Sequence, residues 1–281
     1  MSVVARNAST LAEIIGAVTD IQALWNPRHE FDQDLWFRGQ AEQRFPLLPG
    51  LLRPSVAKYK YDEYTLLTQF RHLGEVHAPT FIRTNWDWYF LAQHYRLPTR
   101  LLDWTESLLA GIHFAIAGAI EPMERKGFDE LLRGGRLPPV FDVDSPTVWM
   151  LDGGSLNDWS VGEDGIFSPD NGDIAGFCWD VIHDAMPAGV RPIALSPPRQ
   201  SQRITAQRGM FTVHGTDATA IDVHANTNDP TAKIKLACIT IDRANLPFLW
   251  QEVELSGYGR LALFPDLDSV AEHLKWVYQS Y

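Results

Sequence analysis

The chain has 281 residues, with 24 Lys and Arg against 35 Asp and Glu, and a formal net charge of −11. At 45% hydrophobic and 21% charged residues it is not a disordered chain, and two cysteines exclude a disulfide scaffold. The acidic balance argues against bulk nucleic-acid binding, which depends on phosphate neutralisation, and no apolar run reaches the roughly 18 residues a membrane span needs.

Residues 1–7 lack the apolar core of a secretory signal, so a cytoplasmic location is expected. Thr10-Leu11-Ala12-Glu13 fits a capping box, and apolar residues from Leu11 to Trp25 recur at helical spacing, predicting a helix over 10–25. Leu35 to Gly39 reads as a short aromatic strand, followed by a proline-rich irregular stretch over 43–57. Helices are expected over 60–76 and 86–95, the second closed before Pro98. Leu101 to Trp104 reads as a buried strand or turn, and Thr105 or Asp103 as the cap of an apolar helix over 107–120.

Residues 121–175 are less regular, with one clear strand at 147–151. Further strands are expected at 192–195, 209–214, 235–241 and 261–264, with helices over 246–256 and 266–279. Helices followed by short strands, with little βαβ alternation, point to an α+β fold: a single domain over 1–281 with N-terminal helices and a mixed, largely antiparallel core sheet.

No short catalytic fingerprint is present, so chemistry must come from scattered polar residues. The densest cluster runs from Gln93 to Thr105. Burying such a mixture requires paired charges. Its plainer reading is an Arg100–Asp103 ion pair that staples two helices together. Its functional reading is a pocket lined by His94, Tyr95, Arg100 and Trp104.

Arg38 ends an aromatic strand and offers a planar fork suited to phosphate or carboxylate; Gly39 beside it would let a ligand approach the backbone. If 207–211 is a strand, Gln207, Gly209 and Phe211 share one face, an amide, a gap and a ring. His72, His77 and His113 read as structural, and Cys178 and Cys238 lie too far apart for a zinc or redox pair, so no metal is expected.

These residues resemble the FRG domain family in four ordered blocks. The first is Trp36-Phe37-Arg38-Gly39-Gln40. The second is His94-Tyr95-x-x-Pro98-Thr99-Arg100-Leu101-Leu102-Asp103-Trp104-Thr105, within 93–105. The third is Arg203-Ile204-x-x-Gln207-x-Gly209-x-Phe211-Thr212. The fourth is Leu263-Phe264-Pro265-Asp266-Leu267-Asp268. Arg96 departs from the pattern, which has a small residue or glycine there, and the insert-like 121–175 matches no block.

An Arg-Gly pair on an early strand with a late Gln or Glu is similar to the layout of ADP-ribosyltransferases. The resemblance implies NAD as substrate and transfer of ADP-ribose to a macromolecule, protein or nucleic acid, as in a bacterial toxin or antiphage defence effector. An antitoxin or chaperone partner would fit that setting. It implies NAD contacts from Arg38, Gly39, Gln40, Tyr95, Thr99, Trp104, Thr105 and Phe211, and catalytic roles among His94, Arg100, Asp103 and Gln207. Gln207 stands where many transferases carry Glu and cannot act as a base, which leaves His94, Asp103 or Glu106. The alternative is a non-catalytic module that binds a nucleotide or phosphate in the same pocket. A nucleic-acid-processing enzyme is disfavoured by the net charge and by the lack of a carboxylate cluster suited to Mg²⁺.

Overall fold

The computed structural model describes residues 3–27, 34–57, 62–120, 145–170, 172–182, 189–199, 202–227 and 233–278. Its strands are β1 (Val4–Ala8), β2 (Leu35–Gln40), β3 (Leu101–Thr105), β4 (Thr147–Asp152), β5 (Ile193–Leu195), β6 (Gly209–Val213) and β7 (Leu236–Ile241). Its helices are α1 (Leu11–Trp25), α2 (Pro54–Ala57), α3 (Glu63–Gly74), α4 (Asn85–His94), α5 (Leu108–Ile120), α6 (Gly153–Val161), α7 (Gln202–Gln207), α8 (Ile221–Ala225), α9 (Leu246–Leu255), α10 (Arg260–Leu263) and α11 (Leu267–Tyr278).

The strands form one seven-stranded sheet in the order β1-β7-β4-β2-β3-β6-β5. Every pairing is antiparallel except β1 with β7. The mixed, largely antiparallel α+β expectation therefore holds. Strand β1 was not expected; it puts the N-terminal segment on the sheet edge beside β7, ahead of the first helix.

Three apolar clusters hold the layers together. Alternate residues of β1, β7, β4 and β2, among them Phe37, Val148 and Ile239, pack with α1, α5 and α9. On the same face but over the other half of the sheet, Leu101, Phe211 and Val213 pack with α3 and α4. The intervening residues, including Trp36, Leu102, Trp104 and Trp149, form the cluster on the opposite face. Burial of these large side chains is the main driving force.

Local chemistry sets the helix starts. Thr10 Oγ1 accepts from the Glu13 amide at 3.2 Å, while the Glu13 carboxylate reaches the Ser9 amide at 2.7 Å. Thr84 and Asp87 form a full capping box on α4. The start of α5 is capped by Ser107, whose Oγ accepts from the Ala110 amide at 3.3 Å. Neither Thr105 nor Asp103 caps it: Thr105 Oγ1 accepts from the Ser107 amide at 2.9 Å, one step upstream.

Two assignments change. Residues 261–264 are not a strand but the helical turn α10, and Gln207 closes the short helix α7 instead of opening a strand. Arg208 then turns the chain into β6 with a left-handed φ of 46°. Of the stretch 121–175, residues 121–144 and 171 lie outside the described residues; the remainder includes β4 and α6.

Candidate functional site

Strands β2 and β3 are neighbours in the sheet but pair only at Phe37–Thr105. Each ladders fully with its other neighbour, β4 or β6. A cavity of about 540 Å³ opens where the β2–β3 ladder stops. Its walls come from the end of β2, the 50–56 segment, the C-terminal end of α4, β3, α7 and the start of β6. Four phenylalanines line it: Phe37, Phe90, Phe114 and Phe211.

Arg38 projects on the same face as Trp36 and Gln40, and its guanidinium reaches into the split. Nη1 donates to the Asp103 carbonyl oxygen at 2.7 Å and lies 4.0 Å from the Asp103 carboxylate. Nε is buried with no hydrogen-bond partner among the described residues. Burial first, then the nearby Arg53 charge, lower its pKa to about 10 against the pull of Asp103, so it stays cationic at neutral pH. Arg53 is placed there by its own segment: its Nε donates to the Leu48 carbonyl at 2.9 Å, and the Leu51 amide donates to the Thr99 carbonyl at 3.1 Å.

Asp103 is the one exposed residue of β3, whose other four residues are buried. It is also the one carboxylate in the cavity lining. A relay orients it. The Leu101 amide donates to Thr99 Oγ1 at 3.1 Å, Thr99 Oγ1 donates to Gln93 Oε1 at 2.6 Å, and Gln93 Nε2 donates to Asp103 Oδ2 at 2.7 Å. The hydroxyl in this chain determines which end of the Gln93 amide faces Asp103.

The C-terminal end of α4 is a Schellman motif. The Leu97 amide donates to the Ala92 carbonyl at 3.0 Å and the Arg96 amide to the Gln93 carbonyl at 2.9 Å. Arg96 therefore holds the left-handed position, with φ 62°. Glycine takes this conformation freely, whereas a residue with a β-carbon pays about 1 kcal/mol. His94, in the preceding turn, lines the cavity. Its pKa is lowered by burial and then by the Arg203 charge, with Asp266 opposing, so the ring is neutral at pH 7. Arg203 stacks on the Phe264 ring at 4.7 Å.

The cavity thus collects Arg38, Gly39, His94, Asp103, Trp104, Thr105, Gln207 and Phe211 of the expected residues. Several of them serve other purposes than expected. Gly39 makes room for α5: a β-carbon there would overlap the Gly111 carbonyl oxygen and the Ala115 amide. Trp104 borders the cavity, but its indole is 3% exposed in the core of the opposite face and donates to Thr212 Oγ1 at 3.1 Å. Strand alternation sends it away from the Asp103 face. Thr105 Oγ1 donates to the Gln207 carbonyl at 2.6 Å, and Gln207 Nε2 donates to the Leu263 carbonyl at 3.1 Å. Phe211 is buried against Phe90 at 5.1 Å between ring centroids.

The remaining four lie outside the lining. Gln40 Oε1 accepts from Trp149 Nε1 at 2.8 Å. Tyr95 is exposed, with its ring edge-on to His94. Thr99 is fully buried and acts through Gln93. Arg100 does not pair with Asp103: its Nε donates to Glu63 Oε2 at 2.6 Å and its Nη1 to the Gly215 carbonyl at 2.9 Å. Glu106 pairs with Arg199 at 3.1 Å.

Sequence reasoning missed Arg53, Arg96 and Arg203 as site residues. The only signals were the departure at Arg96 and the place of Arg203 in the third block. Nothing local marked Arg53. Among the described residues no group of three or more His, Cys, Asp or Glu could hold a metal ion, and no helix is long and apolar enough to cross a membrane.

The FRG domain family model matches residues 33–123, which span β2 to α5 and hold the first two sequence blocks. No curated protein and no solved structure matches the chain.

Proposed function

We propose that this chain, which carries an FRG domain, is an NAD-dependent ADP-ribosyltransferase acting on a macromolecule, protein or nucleic acid, in the cytoplasm as a toxin or antiphage effector. The observation that carries the chemistry is the cavity's polar lining, four arginines with a single oriented carboxylate. Its volume suits a small-molecule site.

Arg38 and Arg53 hold the diphosphate, and the buried unpartnered Nε of Arg38 supplies one of the donors. The phenylalanine walls accommodate the flat ring. Asp103 faces the nicotinamide ribose. When the bond between the ribose anomeric carbon and the nicotinamide nitrogen breaks, its electron pair leaves with neutral nicotinamide and positive charge develops on the ribose. A preoriented carboxylate stabilises that charge. The acceptor's nucleophile bonds to the anomeric carbon and passes its proton to His94, which is neutral at pH 7.

The second reading, a non-catalytic nucleotide-binding module, is favoured by Gln207. Its amide nitrogen donates to the Leu263 carbonyl, and it is no base.

The deciding experiment is release of nicotinamide from labelled NAD by purified protein with cell extract, products split into protein, nucleic-acid and free fractions. Label in one macromolecular fraction that disappears in Arg38→Ala supports the transferase. NAD that binds but is never cleaved supports the module.

A further inference from the structure

The four guanidiniums of the cavity fall into two pairs. Arg38 of β2 and Arg53 of the 50–56 segment line one part of the wall, and Arg96 just past α4 and Arg203 on α7 another; within each pair one charge acts on the other. Asp103, 4.0 Å from Arg38, acts on one member of each pair, Arg38 and Arg203. With His94 neutral, four cations and one carboxylate leave a net charge of about +3 in the lining, more than a diphosphate alone balances.

The second pair is built with care. Arg96 occupies a left-handed position that glycine would fill without strain. Non-glycine residues held in this region cluster at functional sites. Arg203 is held by its face on Phe264, which leaves the N–H edge of a planar guanidinium for an anion. The other charged groups near the pair are His94, Asp103, Asp266 and Arg260, the last also over the Phe264 ring at 5.9 Å; Asp266 is exposed and accepts from the Ser269 amide at 2.7 Å.

We propose that Arg96 and Arg203 form a second phosphate subsite, which takes a phosphate monoester separate from the diphosphate held by Arg38 and Arg53. The inference rests on reading the cavity as a dinucleotide site. The monoester has two sources, the nucleotide itself, as in NADP with its ribose phosphate, or the end of a separate phosphorylated acceptor.

The test is calorimetric titration of the full chain with NAD, with NADP and, at saturating ADP-ribose, with a short oligonucleotide bearing either a 5′-phosphate or a 5′-hydroxyl. The variants are Arg96→Gly and Arg203→Gln. Arg96→Gly relieves the backbone strain, so its melting temperature rises and any loss of binding is not a folding defect. If the nucleotide carries the monoester, NADP binds about tenfold or more tighter than NAD, and the ratio falls toward one in both variants. If the acceptor carries it, NADP and NAD bind alike, the 5′-phosphate oligonucleotide binds about tenfold tighter than its hydroxyl counterpart, and both variants erase that difference.

A wild type indifferent to either phosphate, or a preference that survives in both variants, overturns the subsite. Should neither dinucleotide bind while phenyl phosphate binds in an Arg96-dependent way, the subsite stands and the NAD reading falls. If phenyl phosphate also fails to bind, both fall.

Discussion

Arg100 Nε and Glu63 Oε2 meet at 2.6 Å inside the protein, with side-chain exposures of 12% and 1%. The Tyr89 hydroxyl completes the pair by donating to Glu63 Oε1 at 2.6 Å and accepting from the Arg100 amide at 3.0 Å. Burial first, and then the Glu63 charge, raise the Tyr89 pKa well above its ordinary value, so the phenol stays protonated and able to donate. This triad ties the start of α3 to α4 and to the entry of β3, the strand that carries Asp103.

Glu63→Ala is expected to destabilise the protein by about 3–5 kcal/mol, because it strands a buried guanidinium without its partner. Urea denaturation measures it. A loss below about 1 kcal/mol would mean that solvent reaches Arg100.

Gly39→Ala is expected to cost about 2–3 kcal/mol by forcing α5 away from β2, since an added β-carbon meets helix backbone and not a flexible side-chain end. Gly16→Ala is the control. Open space surrounds that position in α1, so the change should stabilise by about 0.5–1 kcal/mol. Equal effects of the two would contradict the close approach of α5.

If the proposed transferase reading holds, Gln93→Leu lowers kcat for nicotinamide release about tenfold while leaving KM for NAD close to wild type, because it frees the Asp103 carboxylate without touching the arginines. Steady-state kinetics separate the two. A rise in KM with kcat intact would make Gln93 a binding residue instead of a positioning one.

Stability is expected to fall as the pH drops below the ordinary histidine range. His113 is 1% exposed against Trp250, both ring nitrogens lack partners among the described groups, and burial and then Arg260 lower its pKa to about 4. His214 is lowered to about 3, again chiefly by burial. The unfolded chain, with histidine near the ordinary value of about 6.5, binds more protons than the folded one below that pH, so stability is full above it and is lost as pH falls toward 4. His113→Leu should therefore be more stabilising at pH 5 than at pH 7.5, by roughly 2 kcal/mol, in denaturation curves at the two pH values. An equal effect at both would show that His113 titrates normally.

Much of the architecture was legible in the chain itself because it rests on local rules. Short apolar and aromatic runs marked β2, β4 and β7, the Thr10–Glu13 capping box announced α1, and the polar run from Gln93 to Thr105 stood out as too charged to be plain core. Residues 261–264 failed the same rules, since a four-residue apolar run fits a strand and a helical turn equally well. Gln207 failed because a single left-handed residue, Arg208, ends a helix and starts a strand within one step.

What only the tertiary structure decided is who meets whom. Arg100 took Glu63 from α3 over nearby Asp103, because β3 turns the two side chains of that segment toward different neighbours. Gly39 answers to the backbone of α5, and Trp104 to the core behind the sheet. The cavity exists because β2 and β3 pair at one point and then part, and Arg53 and Arg203 reach it from segments far apart in the chain. Propensity and periodicity act over a few residues. Ion pairing, packing volume and strand order act across the whole fold, and they decided which of the legible residues share a site.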